Sequence, residues 1–172
     1  MKPLIDKYFD PSIKIKEKIL IIKEKYRINY EKILAVYYRS TDKSKETNIP
    51  SIETIINKIY EVKKINPELQ ILYMTDDLNS KKKMRNQFKN VITIDEVDKY
   101  YSRSYDHALW FMASVIIMSK AHSIITTSGC VSNWMVFYRN NSKIIYQYLS
   151  PKKYIYGVKN KFYDPNQQDF WL

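Results

Sequence analysis

Glycine is scarce in this chain: the 172 residues contain only two, Gly129 and Gly157. The common phosphate-binding loops, G-x-G-x-x-G and G-x-x-x-x-G-K-[ST], need several glycines within a few residues, because the backbone must approach the phosphates closely. Two glycines so far apart cannot form either pattern. The scarcity therefore excludes the usual dinucleotide-binding and P-loop fingerprints.

Cysteine, histidine and long apolar runs are also scarce. The single cysteine, Cys130, has no partner for an intramolecular disulfide. The two histidines, His107 and His122, stand apart from any cysteine or acidic cluster, so we expect no zinc site. No stretch approaches the roughly 18 uninterrupted apolar residues of a membrane span, and the first ten residues lack the apolar core of a signal peptide. We therefore expect a cytoplasmic protein without a membrane span.

Acidic residues are outnumbered, since 29 lysines and arginines face 18 aspartates and glutamates and give a formal net charge of +11. Such an excess favours anionic partners, which include nucleic acid, acidic membrane surfaces and phosphate-bearing ligands. The lysines are dispersed at helical spacing, which is also typical of solvated helix faces. Tyrosines interleave with them, as they do in single-stranded nucleic-acid binders. One hypothesis is therefore a non-enzymatic basic module that binds RNA or another polyanion.

The apolar residues alternate between two patterns along the chain. Short apolar runs, which predict strands, occupy residues 33–38, 70–74, 91–94, 123–127 and 143–149. Segments of helical spacing or length lie before and between them, at residues 12–27, 51–65, 78–89, 105–120 and 132–139. This alternation predicts an α/β fold with a doubly wound, Rossmann-like sheet of about five mostly parallel strands and helices on both faces.

The chain length and the absence of a linker predict a single domain over residues 1–172. Within it, we expect residues 1–31 to form an N-terminal helical segment. Residues 151–172 are aromatic but irregular, and we expect them to cross the sheet edge or to pack back on that helical segment.

Polar residues follow three of the predicted strands. In an open α/β sheet, ligands bind over the carboxyl ends of the strands, near the point where the strand order reverses. Arg39, after the first strand, has a planar fork of donors that can bind a phosphate bidentately. Ser128 and Gly129 stand at a strand-to-helix turn, where free backbone N–H groups and the helix dipole favour an anion. Asp76 and Asp77 could accept hydrogen bonds from ribose hydroxyls or a base edge.

Each of these groups also has a purely structural alternative. Arg39 could pair with Asp42 or Asp77, the acidic pair could cap the helix that begins at Leu78, and the serines could act as caps. The three groups nevertheless fall at one edge of the predicted sheet. That coincidence favours a shared site that suits a pyrophosphate.

Three stretches, in this order and at this spacing, resemble the sugar-nucleotide half of the fucosyltransferase superfamily. They are YYRSTDK at 37–43, LYMTDD at 72–77 and ALWFMASVIIMSKAHSIITTSGCVSNW at 108–134. That superfamily includes the α1,2- and α1,6-fucosyltransferases and the protein O-fucosyltransferases, and it has the two-domain GT-B architecture. The resemblance covers about residues 32–150 and implies the carboxyl-terminal, donor-binding half.

The resemblance implies transfer of fucose, or another hexose, from a GDP-sugar to a hydroxyl group of a glycan or protein acceptor, with no cofactor or metal required. Arg39 resembles the arginine that binds the β-phosphate of GDP-fucose and stabilises the departing nucleotide. Asp42 and Lys43 would brace the turn beneath it. The implied set of nucleotide-contacting residues is Arg39, Lys43, Asp76, Asp77, Thr127, Ser128, Gly129 and Cys130.

The sequence departs from the family pattern at Tyr37 and Ser40, where the family has a histidine and a second arginine. The nearest carboxylate that could act as general base is Glu46, just beyond the turn, with Asp106 and His107 as further candidates. A GT-B enzyme also needs an amino-terminal acceptor domain, and few residues precede the first predicted strand. We therefore expect a longer protein, a separate acceptor-domain chain, or an inactive glycosyltransferase-like partner subunit.

Overall fold

The computed structural model describes residues 2–41, 49–97, 104–127, 129–141, 143–149 and 161–162. Four candidate site residues, Asp42, Lys43, Glu46 and Ser128, lie outside the described residues. Most of the tail, residues 151–160 and 163–172, lies outside them as well. The packing of the tail on the N-terminal segment therefore stays a prediction.

The described residues form six α-helices. They are α1 (Lys2–Tyr8), α2 (Ile13–Lys25), α3 (Ile52–Ile65), α4 (Leu78–Gln87), α5 (Tyr105–Ser119) and α6 (Cys130–Arg139). Side-chain oxygens of Ser12, Ser51, Asp77 and Ser104 accept hydrogen bonds from backbone N–H groups in the first turns of α2 to α5, which fixes where these helices begin. All five predicted helices are confirmed. Helix α1 lies within the N-terminal region that is predicted to be helical, but its seven residues are too few to show a helical period of their own.

One mostly parallel sheet lies between these helices. Its strands are β1 (Ile33–Tyr38), β2 (Gln70–Thr75), β3 (Ser123–Thr127), β4 (Ile145–Leu149) and β5 (Lys161–Phe162), in the spatial order β2-β1-β3-β4-β5. The first four are parallel, and β5 is antiparallel to β4. In the centre, Val36 of β1 is opposite Tyr73 of β2 and Ile125 of β3. The doubly wound α/β prediction is confirmed, and the strand order reverses between β1 and β3.

The strand predicted at residues 91–94 is reduced to a single bridge beside β2. The Ile92 N–H group donates to the Ile71 carbonyl and the Ile92 carbonyl accepts from the Tyr73 N–H group, both at 2.8 Å. The bridge lies between two features that are incompatible with a longer strand: Asn90, two residues before it, has a left-handed backbone (φ 62°), and a 3₁₀ turn, Asp95–Val97, begins three residues after it. Four of the five predicted strands are present, and the fifth strand of the sheet is β5.

The core lies on both faces of the sheet. All six side chains of β1 are buried, and they alternate between the two faces. Its odd-numbered residues pack with α2, α5 and α6, where Ile22, Ile117 and Met135 are fully buried. Its even-numbered residues pack with α3 and α4, where Ile59 and Met84 are fully buried. Burial on both faces explains why β1 is a continuous apolar run in the sequence.

Two isoleucines on the same helix allow a matched test of this packing. Ile59 is 0% exposed in the core, whereas Ile65, at the end of α3, is 76% exposed. We expect Ile59→Ala to lower the free energy of unfolding by about 2–5 kcal/mol, because it removes buried contacts and leaves a cavity. Ile65→Ala should change it by less than about 0.5 kcal/mol. Urea unfolding followed by circular dichroism measures both values, and equal losses would contradict the assignment of Ile59 to the core.

Candidate functional site

The strand order reverses between β1 and β3, so the crevice that open α/β sheets form at such a point lies above the carboxyl ends of these two strands. From β1 the chain turns towards β2, whereas from β3 it turns towards β4 on the other side. Because the two connections diverge, they leave a gap above the neighbouring strand ends. Arg39 follows β1 at this gap, and its backbone N–H group donates a hydrogen bond to the Oγ1 atom of Thr127, the last residue of β3 (3.3 Å). The ends of the two strands are therefore linked directly.

Arg39 leaves a well-anchored strand. Tyr38, the last residue of β1, is 5% exposed, and its hydroxyl group donates to the Pro50 carbonyl at 3.1 Å. Burial raises the pKa of the Tyr38 phenol, so the phenol stays protonated and remains a donor at neutral pH. Arg39 itself is half-buried. Arg39 is thus the first residue beyond the buried strand, at the carboxyl end of the sheet.

Asp76 and Asp77 follow β2, and the two carboxylates have different partners. The Asp76 carboxylate accepts hydrogen bonds from Ser40 and Thr41, the two residues that follow Arg39. The Asp77 carboxylate accepts from the Asn79 N–H group at 2.9 Å and caps α4. Asp77 therefore caps the helix that begins at Leu78, which is the structural alternative given above for the acidic pair. Contact of either residue with a nucleotide stays a prediction.

A buried hydroxyl network attaches the start of α4 to β2. The hydroxyl group of Tyr73 donates to Ser80 Oγ at 3.0 Å, and Ser80 Oγ donates to the Asp77 carbonyl at 2.8 Å. Thr75 Oγ1 lies 3.1 Å from Ser80 Oγ and accepts from the Asp77 N–H group at 3.1 Å. Burial raises the pKa of the Tyr73 phenol well above its ordinary value. This network fixes the backbone around the acidic pair. The motifs did not indicate it, although the threonine before the aspartates and the serine after them are residues that often bond to nearby backbone groups.

Helix α6 begins at the crevice without a side-chain cap. Its N-cap residue is Gly129, with φ 157° and ψ 173°, a backbone region that is essentially restricted to glycine. The Gly129 carbonyl accepts from Ser132 Oγ at 2.6 Å, and Gln147 of β4 donates to the same Oγ at 3.1 Å. The turn is therefore held in place by hydrogen bonds to α6 and, through Ser132, to β4. The first N–H groups of α6, with the positive end of the helix dipole, are available to an anion.

Three other candidate residues have distinct environments. Cys130, the first residue of α6, is exposed and has a free thiol. Asp106 pairs with Lys18 Nζ (2.9 Å) and accepts from the Trp110 indole N–H group (3.1 Å); the hydrogen bond from Lys18 lowers the pKa of the Asp106 carboxyl. His107 Nε2 lies 3.3 Å from the Val97 carbonyl. Asp106 thus stabilises the contact of α2 with α5, which makes it a weak candidate for general base.

Arg139 is a second arginine of structural interest, and sequence reasoning did not single it out. Its guanidinium group donates to the carbonyls of Ser119 (3.2 Å), Ala121 and His122 (2.9 Å), at and just beyond the carboxyl end of α5. Burial lowers the pKa of Arg139. Its donors therefore stabilise the junction of α5, α6 and β3.

The described residues contain neither a cluster of metal-binding side chains nor a helix that could span a membrane. Among them, no group of three or more histidine, cysteine, aspartate or glutamate side chains is close enough together to hold a metal ion. No helix in the described part of the chain is both long enough and apolar enough to cross a membrane.

Comparison with known proteins finds likeness in solved structures alone. No protein-family model and no curated protein matches the chain. A NodZ α-1,6-fucosyltransferase co-crystallised with GDP superposes with a TM-score of 0.58 at 12% identity, and one soaked with GDP-fucose gives 0.54 at 14%. A selenomethionine form of NodZ from Bradyrhizobium gives 0.52 at 14%. Each match covers 80% of this chain and 44% of the other. The chain thus has a fucosyltransferase-like fold and spans less than half the length of these proteins.

Proposed function

We propose that this chain is the donor-binding domain of a fucosyltransferase-like glycosyltransferase and binds the diphosphate of a GDP-sugar in the crevice between β1 and β3. The observation that carries the proposal is the pairing of Arg39 with the uncapped start of α6 on the two sides of one crevice, linked by the hydrogen bond from Arg39 to Thr127. The fold supports it, since similar structures were crystallised with GDP or soaked with GDP-fucose.

The chemistry follows from the charges of the donor. When the bond from the sugar to the β-phosphate breaks, negative charge grows on the leaving diphosphate. An arginine fork and preorganised N–H groups at a helix start stabilise such charge without having to reorganise. In the proposed reaction, Arg39 contacts the β-phosphate and the first N–H groups of α6 contact the diphosphate. Ser128 and Lys43 would add contacts, and no metal ion is needed for charge neutralisation.

The acceptor half of the reaction is proposed to need further residues. The chain spans 44% of the length of the NodZ structures, and a donor domain alone holds one of the two substrates. We propose that another domain or another chain binds the glycan or protein acceptor. Glu46 is proposed as the general base that takes the proton of the acceptor hydroxyl.

The first prediction concerns Arg39. We expect Arg39→Ala to weaken GDP binding at least about tenfold, the usual cost of losing hydrogen bonds to a charged group. Arg27→Asn is the matched control, because it also removes one arginine. Arg27 lies before β1, at the opposite edge of the sheet, with a left-handed backbone (φ 50°) that asparagine tolerates. Its GDP affinity should stay within about twofold of wild type.

Isothermal titration calorimetry with GDP, ADP and UDP, in EDTA and then with Mg²⁺, measures these affinities. We expect GDP to bind most tightly and the affinity to be the same in both buffers. If no nucleotide binds, the glycosyltransferase proposal fails. If wild type binds RNA with a steep dependence on salt and Arg39→Ala binds it equally well, the basic-module hypothesis replaces it, a candidate that the net charge of +11 favours.

A further prediction concerns the backbone at Gly129. We expect Gly129→Ala to weaken GDP binding, because a Cβ atom disfavours the φ of 157° that aims the first N–H groups of α6 at the crevice. Asn140→Ala is the matched control at the other end of α6, where φ is 60°. Both variants should lose about 1–2 kcal/mol of stability, since alanine disfavours positive φ.

Calorimetry with GDP, together with urea unfolding of each variant, separates binding from stability. The proposal predicts that Gly129→Ala loses affinity and that Asn140→Ala keeps it. Equal loss of affinity in both variants would show that the effect is general destabilisation and would remove the α6 turn from the proposed site.

A further inference from the structure

We infer that Asp76 is a positioning residue, which holds the turn that carries Arg39 and acts on the donor through Arg39. The inference rests on the proposed function of Arg39. The Asp76 Oδ1 atom accepts from the Ser40 N–H group at 2.9 Å. Its Oδ2 atom accepts from the Thr41 N–H group at 3.3 Å and from the Thr41 hydroxyl group at 2.6 Å. All three donors belong to the two residues that follow Arg39.

Sheet pairing explains why one carboxylate can hold this turn. Tyr38, the last residue of β1, is opposite Thr75, the last residue of β2. The residues that leave the two strands therefore meet directly beyond the sheet edge. Asp77, one position later, turns away to cap α4. The register thus assigns the contact with the turn to Asp76.

Three consecutive backbone N–H groups around Arg39 are anchored to two different strand ends. The Arg39 N–H group is bound by Thr127 at the end of β3, and those of Ser40 and Thr41 are bound by Asp76 just after β2. Anchoring on both sides fixes the Cα–Cβ direction of Arg39. A long side chain can bind a phosphate bidentately only if its base is fixed, because small errors at Cα grow along the chain of torsions.

The hydrogen-bonding capacity of Asp76 also limits a direct contact with the nucleotide. A carboxylate has about four acceptor positions, and three are occupied by the turn, two of them on Oδ2. Hydrogen bonds to an ionised acceptor are roughly twice as strong as neutral ones. A ribose hydroxyl would have to compete with these donors or use the one remaining position on Oδ1.

Two ligands separate a positioning role from a nucleotide contact. Inorganic pyrophosphate has the two phosphates but no ribose and no base. If Asp76 acts through Arg39, Asp76→Ala should weaken the binding of GDP and the binding of pyrophosphate by the same factor, about tenfold. If Asp76 contacts the ribose or the base, the same variant should weaken the binding of GDP alone. Glu61→Ala, which removes an exposed carboxylate paired with Lys58 on α3, is the matched control and should leave both affinities unchanged.

Milder variants and a double variant complete the experiment. Thr41→Val removes one donor to Asp76 and should weaken the binding of both ligands less than Asp76→Ala does. Thr41→Ser keeps the hydroxyl group and should bind both ligands with wild-type affinity. In an Arg39→Ala background, Asp76→Ala should cause no further loss, because its effect passes through Arg39. Amide hydrogen exchange at Ser40 and Thr41 should be faster in Asp76→Ala and unchanged in Glu61→Ala.

The outcomes distinguish the two proposals. Loss of GDP affinity with pyrophosphate affinity intact, or additive losses in the double variant, would overturn the positioning role and leave the proposed donor site standing. If wild type binds neither ligand, the donor site fails, and the positioning role fails with it. Equal, non-additive losses for both ligands, with faster exchange at Ser40 and Thr41, establish Asp76 as a positioning residue.

Discussion

The structure depends on β1, which pairs on both edges and is buried on both faces. All six of its residues pair in parallel with β2, four of them also pair in parallel with β3, and all six side chains are buried. A strand in this position cannot continue into a charged sequence, because an arginine in the core would lose its hydration without compensation. The chain therefore has to leave the sheet at Arg39. Since β2 and β3 flank β1, their polar ends have to lie beside it, and the position of the candidate site follows from this pairing.

Two arginines illustrate how position decides the use of the same side chain. Arg139 donates to three backbone carbonyls at and just beyond the end of α5, so its donors stabilise the fold. Arg39 instead follows a buried strand, and its own N–H group is bound to Thr127 at the end of β3. Its position beside the uncapped start of α6 suits an anionic ligand. The two arginines differ in role because of their positions relative to the sheet edge, since their residue type is the same.

Local patterns predicted most of the fold, because helices and strands here are marked by local signals. Serines cap α2, α3 and α5, and apolar runs coincide with β1 to β4. The run at 91–94 was misleading because its pairing is cut short by the left-handed Asn90 and by a 3₁₀ turn, features that an apolar run does not reveal. The cap at Asp77 was predictable from the next few residues. The contact of Asp76 with Ser40 and Thr41 was not, because it joins residues 35 or 36 positions apart and is set by the register of β1 with β2.

Several of the lysines and aromatic residues whose interleaving is typical of a nucleic-acid binder contact one another within the protein. Lys14 lies over the Tyr105 ring, Lys18 over Trp110 and Lys58 over Tyr146, with Nζ atoms 4.3 to 5.3 Å from the ring centroids. Lys18 and Lys58 also pair with carboxylates. Rings and ammonium groups engaged in this way are less available for base stacking and phosphate contacts, which a single-stranded nucleic-acid binder requires. The contacts on the helix faces thus weaken the argument from net charge. The proposed donor site at Arg39 and α6 does not depend on the total charge, because it rests on the geometry of one sheet edge.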